Sequence, residues 1–181
     1  FIGVCVSEVE ALQGDALNLV GLLEANSAEF SSAVNAVVEA RANLKYELQK
    51  NQFNNTVVKG YDKKTYADLL NEMRGKVATL NKTVQPVIKA IDEIGEVKLS
   101  DSGIATRINT ARELYDALET ELEKNSVTNY SVLVKAEETL DELTQEANAW
   151  KVAVNTIFDA ISANKITFTN VEDIKGVEDT F

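Results

Sequence analysis

The chain has 181 residues, room for one domain or two small ones, and its 45% hydrophobic content suffices for a core, which excludes wholesale disorder. Its 29 acidic residues against 18 basic give a net charge of −11, and no basic run exceeds Lys63-Lys64, so phosphate backbones and anionic lipid repel it. It contains no histidine, which excludes His-based triads, the usual zinc enzymes and carboxylate–histidine di-iron bundles.

One proline and 8 glycines favour long helices over strands and turns. Cys5 is the single cysteine, so no intramolecular disulfide can form, and its neighbours Ile2, Val4 and Val6 predict a buried thiol. No apolar run approaches the ~20 residues that cross a bilayer. The sequence opens at Phe1 without initiator Met or signal peptide, so it reads as a segment of a larger protein or a processed product.

In chain order, Ser7-Glu8-Val9-Glu10 has the form of a capping box. It predicts a first helix with apolar positions Val9, Leu12, Ala16, Leu19, Val20 and Leu23. The periodicity continues through Phe30, Val34, Val37, Leu44 and Leu48, with a break or kink expected near Asn26-Ser27. Asn51 to Gly60 reads as a polar connector, and Asp62 as the N-cap of the next helix. That helix carries two heptad series, Leu70, Val77, Val84, Ile91 and Tyr66, Met73, Leu80, Val87, Ile94, with a kink expected at Pro86.

Gly95 suits the helix end. Val97-Lys98-Leu99 reads as a short extended link, and Ser100 or Asp101 as the cap of a helix carrying Ile104, Ile108, Ala111, Tyr115, Leu118 and Leu122. Thr128 or Asn129 then caps the longest helix. Leu133, Leu140, Ala147, Val154 and Ile161 lie seven apart, with Ala136, Leu143, Trp150 and Ile157 between them. Such spacing puts one apolar stripe along a helix from about Thr128 to Ala163, roughly 50 Å long. Trp150, the single tryptophan, lies on that stripe, which predicts burial near Leu114 or Tyr115. Lys165 to Thr169 is a second β-branched link, and Asn170 to Phe181 reads as the start of a further helix.

An internal repeat organises the chain. Ala40-Arg41 with Glu47-Leu48-Gln49-Lys50-Asn51 parallels Ala111-Arg112 with Glu121-Leu122-Glu123-Lys124-Asn125, and Ile91-Asp92-Glu93-Ile94 parallels Phe158-Asp159-Ala160-Ile161. The division expected is a first helical unit over 1–96, a second over 97–168, and a truncated helix start over 169–181.

No residue set points to chemistry. Phosphate-cradling loops of the G-x-x-x-x-G-K-[ST] and G-x-G-x-x-G types are missing. Glu137, Glu138, Asp141 and Glu142 form a dense acidic patch off the apolar stripe, which reads as a solvated face. No segment has the alternating oxygen ligands of an EF-hand. Arg112 and Asp116, four apart, are spaced for a surface pair. The sequons at Asn54, Asn81 and Asn129 are unremarkable in number.

From Ile91 to Leu143 the wording is more specific than periodicity. The link Ile94-Gly95-Glu96-Val97-Lys98-Leu99, the helix Ala111-Arg112-Glu113-Leu114-Tyr115-Asp116-Ala117-Leu118 and the helix start Val127-Thr128-Asn129-Tyr130-Ser131-Val132-Leu133 follow in order. This resembles the tandem helical repeat modules of Gram-positive bacterial cell-surface and secreted proteins, in the style of FIVAR-type modules. The first half departs from the pattern, with Asn43-Leu44-Lys45-Tyr46 in place of Leu-Tyr-Asp-Ala. The resemblance implies an extracellular spacer or adhesive role and brings no shared catalytic residues.

The expectation is therefore an all-α protein of elongated antiparallel helical bundles in two tandem units. Its expected role is a non-enzymatic structural or adhesive repeat, such as a stalk, surface-layer or scaffold element of a cell-surface protein. No catalytic, cofactor-binding or metal-ligating residue is assigned. The alternatives are a binding module for a host protein or glycan, and an intracellular coiled-coil scaffold. Partners open at this point are neighbouring domains of the parent, a further copy, or a host protein or glycan, but neither nucleic acid nor the membrane interior.

Overall fold

The computed structural model describes residues 2–163, and among these there are seven helices and no strand. They are α1 (Ile2–Glu24), α2 (Phe30–Ala42), α3 (Glu47–Asn55), α4 (Tyr66–Asp92), α5 (Ile104–Asp116), α6 (Glu121–Asn125) and α7 (Tyr130–Ser162). The Cys5 thiol and the expectations for residues 165–181 lie outside what is described. The protein is all-helical over the described residues. None of these helices is long and apolar enough to cross a membrane.

Helix α4 organises the packing. Its stripe is buried from Tyr66 through Leu69, Leu70, Met73, Val77, Leu80, Val84, Val87 and Ile91. Three helices that precede it (α1, α2, α3) and three that follow it (α5, α6, α7) all pack against it. Burying a Leu- or Val-sized side chain contributes about 1.5–3 kcal/mol, so this row is the main source of cohesion. The α geometry runs unbroken through Pro86. Left-handed residues mark the chain reversals after α1 and α4: Asn26 at φ 50° and Gly95 at φ 67°, conformations that these two residue types tolerate best.

The two reversals are built alike. Before α2, Ser27 Oγ accepts from the Glu29 N–H (3.2 Å) and Ser27 O from the Phe30 N–H (3.1 Å). Before α5, Asp101 Oδ1 accepts from the Gly103 N–H (2.9 Å) and Asp101 O from the Ile104 N–H (3.2 Å). Each helix has 13 residues and buries the same positions, Phe30, Val34 and Val37 in α2 and Ile104, Ile108 and Ala111 in α5. The short helices that follow also match. The Tyr46 N–H donates to Gln49 Oε1 (3.1 Å) at the start of α3, and the Thr120 N–H to Glu123 Oε2 (2.8 Å) at the start of α6.

Several sequence expectations are corrected by cap chemistry. Ser7 lies inside α1, which is already helical at Ile2, so its capping-box form does not mark the helix start. The expected connector from Asn51 is still helix to Asn55, because Gln49 and Phe53, four apart, turn one face of α3 into the core. Asp62 is not the cap of α4. Thr65 is: its Oγ1 accepts from the Asp68 N–H (3.2 Å), and Asp68 Oδ2 accepts from the Thr65 N–H (2.9 Å). The single helix expected through Leu122 is two helices, α5 and α6. Thr120 starts a new one, with Oγ1 accepting from the Glu123 N–H (3.2 Å).

These capping carboxylates make stability depend on pH. Hydrogen bonds from the Thr65 backbone and side chain hold Asp68 below its ordinary value, and bonds led by that from the Thr120 backbone do the same for Glu123. With folded values below unfolded ones, the stabilisation is complete above the ordinary carboxylate range of about 4 and is lost as pH falls through the lowered folded values. The urea midpoint should therefore fall between pH 5 and pH 3. An Asp68→Asn/Glu123→Gln double variant should fall less steeply over the same range. Equal slopes would mean that other groups govern the acid limb.

Candidate functional site

A densely connected polar cluster joins α5 to α7. Arg112 donates from Nε to Glu137 Oε1 (2.7 Å) and from Nη2 to Glu137 Oε2 (2.5 Å), the two-pronged geometry that suits guanidinium to carboxylate. Its Nη1 also donates to the Tyr130 hydroxyl (3.4 Å), and Asp116 lies 3.6 Å away. The guanidinium sits 5.6 Å from the Tyr115 ring centre and 5.5 Å from that of Tyr130. The two rings stack with centroids 4.2 Å apart. Glu137 raises the Arg112 pKa further, while burial raises that of Tyr115.

This cluster corrects part of the acidic-face expectation. Glu137 is not a solvated surface carboxylate but the half-buried partner of Arg112, whereas Glu138, Asp141 and Glu142 are exposed. The pair Arg112–Asp116 forms, but as the weaker contact. Asn129 precedes α7 without a side-chain cap bond. Its Nδ2 instead donates to Ile88 O (2.9 Å) and Asp92 Oδ1 (2.8 Å), tying the start of α7 to the end of α4. The nitrogen that a glycan would occupy at this sequon is thus committed to the fold. At the other sequons, Asn54 accepts from Arg41 (2.8 Å) and Asn81 is exposed in mid-α4.

Perturbed titrations in functional sites mark clefts where charge is unevenly supported. Here each lowered carboxylate has a local structural donor: Thr65 for Asp68, Lys64 for Glu72, Arg107 for Asp101 and Thr120 for Glu123. Among the described residues no group of three or more His, Cys, Asp or Glu side chains is arranged to hold a metal. The grooves between helices are open. One lies where α1, α4 and α6 meet, bounded by Leu23, Glu72, Lys76, Leu80 and Leu122.

Trp150 is not buried near Leu114 or Tyr115. It is 48% exposed, and Leu114 is itself exposed. The reason is geometric. Tyr115 meets Tyr130 and Arg112 meets Glu137, so α5 and α7 run in opposite directions, with the end of α5 against the start of α7. A 13-residue helix is about 20 Å long, and that length laid along α7 from Tyr130 ends near Leu143. Trp150 lies about 10 Å beyond. The stripe is accordingly buried at Leu133 and Ala136 and partly covered at Leu140. Past Leu143 the stripe is exposed at Trp150 and Ile161 and partly covered at Ala147, Val154 and Ile157.

Comparison of the chain with protein-family models, curated proteins and solved structures finds no match.

Two measurements check this geometry. Trp150→Ala should change stability by less than about 1 kcal/mol, as at other surface positions, and native Trp150 fluorescence should be close to that of the urea-unfolded chain. A loss of 3 kcal/mol, the cavity cost of a buried Trp, would put the ring in the core. Arg112→Ala should cost about 1.5–3 kcal/mol, the range for hydrogen bonds to a charged group. A double-mutant cycle with Glu137→Gln should give a coupling of at least about 0.5 kcal/mol; additive effects would mean the two groups act independently.

Proposed function

We propose that the chain is a non-enzymatic structural repeat, built as two tandem units in elongated helical bundles and serving as a stalk, surface-layer or scaffold element of a bacterial cell-surface protein. The observation that carries this reading is the double use of α4, which packs against α1–α3 and again against α5–α7. In a globular domain an added helix enlarges one core. A long helix that serves two sets of helices would let each added unit extend the molecule.

Two further observations support it. The matched turns at Ser27 and Asp101, and the matched cap bonds at Tyr46 and Thr120, are what duplication of a helical hairpin would leave. The polar clusters all have structural work: Arg112–Glu137 and Asn129 fasten α7, and the lowered carboxylates are caps or ion pairs. The extracellular assignment rests on the resemblance of residues 91–143 to Gram-positive surface modules.

A second reading, a binding module for a host protein or glycan, is favoured by the open apolar face around Trp150. Exposed aromatics on a long helix are common anchors for a partner. Small-angle scattering of the chain separates the two. The spacer reading expects a radius of gyration clearly above the ~16 Å of a compact chain of this length. A compact value would remove the physical basis of a spacer and leave the binding module in first place.

A further inference from the structure

Tyr115 lies in the last turn of α5 and Tyr130 opens α7, with α6 between them in the chain. Their rings stack with centroids 4.2 Å apart and planes 20° from parallel. Each phenol has an ortho carbon on either side of its C–O bond. Whichever way the two rings are turned in the stack, an ortho carbon of one is therefore no more than one ring position from an ortho carbon of the other. Both residues are only partly buried against the core, so the pair is held in place and still reachable from solvent. Tyr66 differs on each count: it is buried, and it meets Phe53, which has no phenol, at 41° with centroids 5.7 Å apart.

The guanidinium beside the rings does not oppose their oxidation. Arg112 is paired with Glu137 through both prongs, and a phenol that loses an electron together with its proton stays neutral. Arg112 Nη1 donates to the Tyr130 oxygen (3.4 Å), which goes on accepting that bond after its own proton has left. The contacts that position the rings thus do not depend on the phenol protons. The start of α7 is otherwise fastened to α5 and α4 by hydrogen bonds and ion pairs, those of Arg112 and Asn129. A disulfide could not do the same work, since Cys5 is the single cysteine.

We propose that Tyr115 and Tyr130 form an oxidative cross-linking site, where hydrogen peroxide acting through a peroxidase joins the two rings and ties α7 covalently to α5. Each phenol gives up one electron and its O–H proton, leaving two neutral phenoxyl radicals. The radicals couple through an ortho carbon of each ring, which forms one C–C bond. The hydrogen on each coupled carbon then moves to its oxygen and restores both phenols. In sum, two C–H bonds give way to one C–C bond, and the two electrons and two protons released reduce one hydrogen peroxide to two waters. The inference goes beyond the structural-repeat reading and does not depend on it.

The test oxidises the 181-residue chain, kept dilute, with a photoexcited ruthenium tris-bipyridyl complex and persulfate, a one-electron oxidant that also works in urea. Trypsin cleaves after Arg112, Lys124 and Lys135, which leaves each tyrosine alone in its own peptide, 113–124 and 125–135. The expected product is a monomer in which these two peptides are joined with the loss of two hydrogens. It should form at least about tenfold faster in the folded chain than in the urea-unfolded one, where the proximity is lost. Treatment should also raise the urea midpoint, because the bond closes a loop in the unfolded state. Tyr115→Phe keeps the ring and, with an unchanged circular dichroism spectrum, should yield neither the linked peptide nor the rise in midpoint. Consumption of the tyrosines into chain-to-chain dimers or hydroxylated rings, without the 113–124 to 125–135 link, would overturn the proposal. So would a link that forms as fast in urea, or one that leaves the midpoint no higher than in treated Tyr115→Phe.

Discussion

The fold depends on one constraint: α4 must bury an unbroken apolar row about 40 Å long, and no single neighbour here is placed to do so. The 13-residue α2 and α5 are each about half that length. Coverage is therefore divided between an earlier and a later set of helices, and the seam between them has its own bond. Asn125, at the end of α6, donates from Nδ2 to Asn26 O in the turn after α1 (2.9 Å). The two sets meet there across α4. This arrangement makes the row from Tyr66 to Ile91 the element whose disruption would loosen both halves together.

At the periphery the apolar contribution thins and polar fasteners take a larger share. In the first half, Gln49 is almost fully buried and donates from Nε2 to Glu8 Oε2 (2.8 Å), pinning α3 to α1. In the second half the corresponding fastener joins different elements, Arg112 of α5 to Glu137 of α7, with Asn129 holding α7 to α4. The hairpins are alike in their turns, caps and buried positions but differ in how their polar groups lock. That pattern fits a shared scaffold whose non-core positions have been free to change.

Periodicity in the sequence located the apolar face of each long helix, and Asn26 and Gly95 located two of the reversals. What it missed falls into two kinds. The breaks at Asn43–Tyr46 and Ala117–Thr120 do not interrupt the spacing of apolar residues: Leu44 and Leu48, or Leu118 and Leu122, continue a helical rhythm across them. For the second break the signal was present in Thr120-x-x-Glu123, as Thr65-x-x-Asp68 signals the start of α4, side-chain bonds that compete locally with helix continuation. The second kind is Trp150. A heptad says which face is apolar, whereas burial also needs a neighbour long enough to reach it, and the length of α5 was hidden by the missed break at Ala117. One overlooked cap thus led to a misplaced tryptophan.

The distal half of α7 then has an energetic consequence. Its residues Val152, Val154, Thr156, Ile157 and Phe158 are β-branched or aromatic and lose side-chain freedom in a helix, so intrinsic propensity gives this stretch little support. Thr156 Oγ1 donates to Val152 O (2.8 Å), a local bond that does not join it to another helix. Helix continuation from an already formed helix avoids the nucleation cost, yet most helical stability in proteins comes from packing of the apolar face. Along one helix, then, a first half locked by Arg112–Glu137 and Asn129 is followed by a half rich in residues of lower helix propensity. The residues that depress propensity there are the ones that add most on burial.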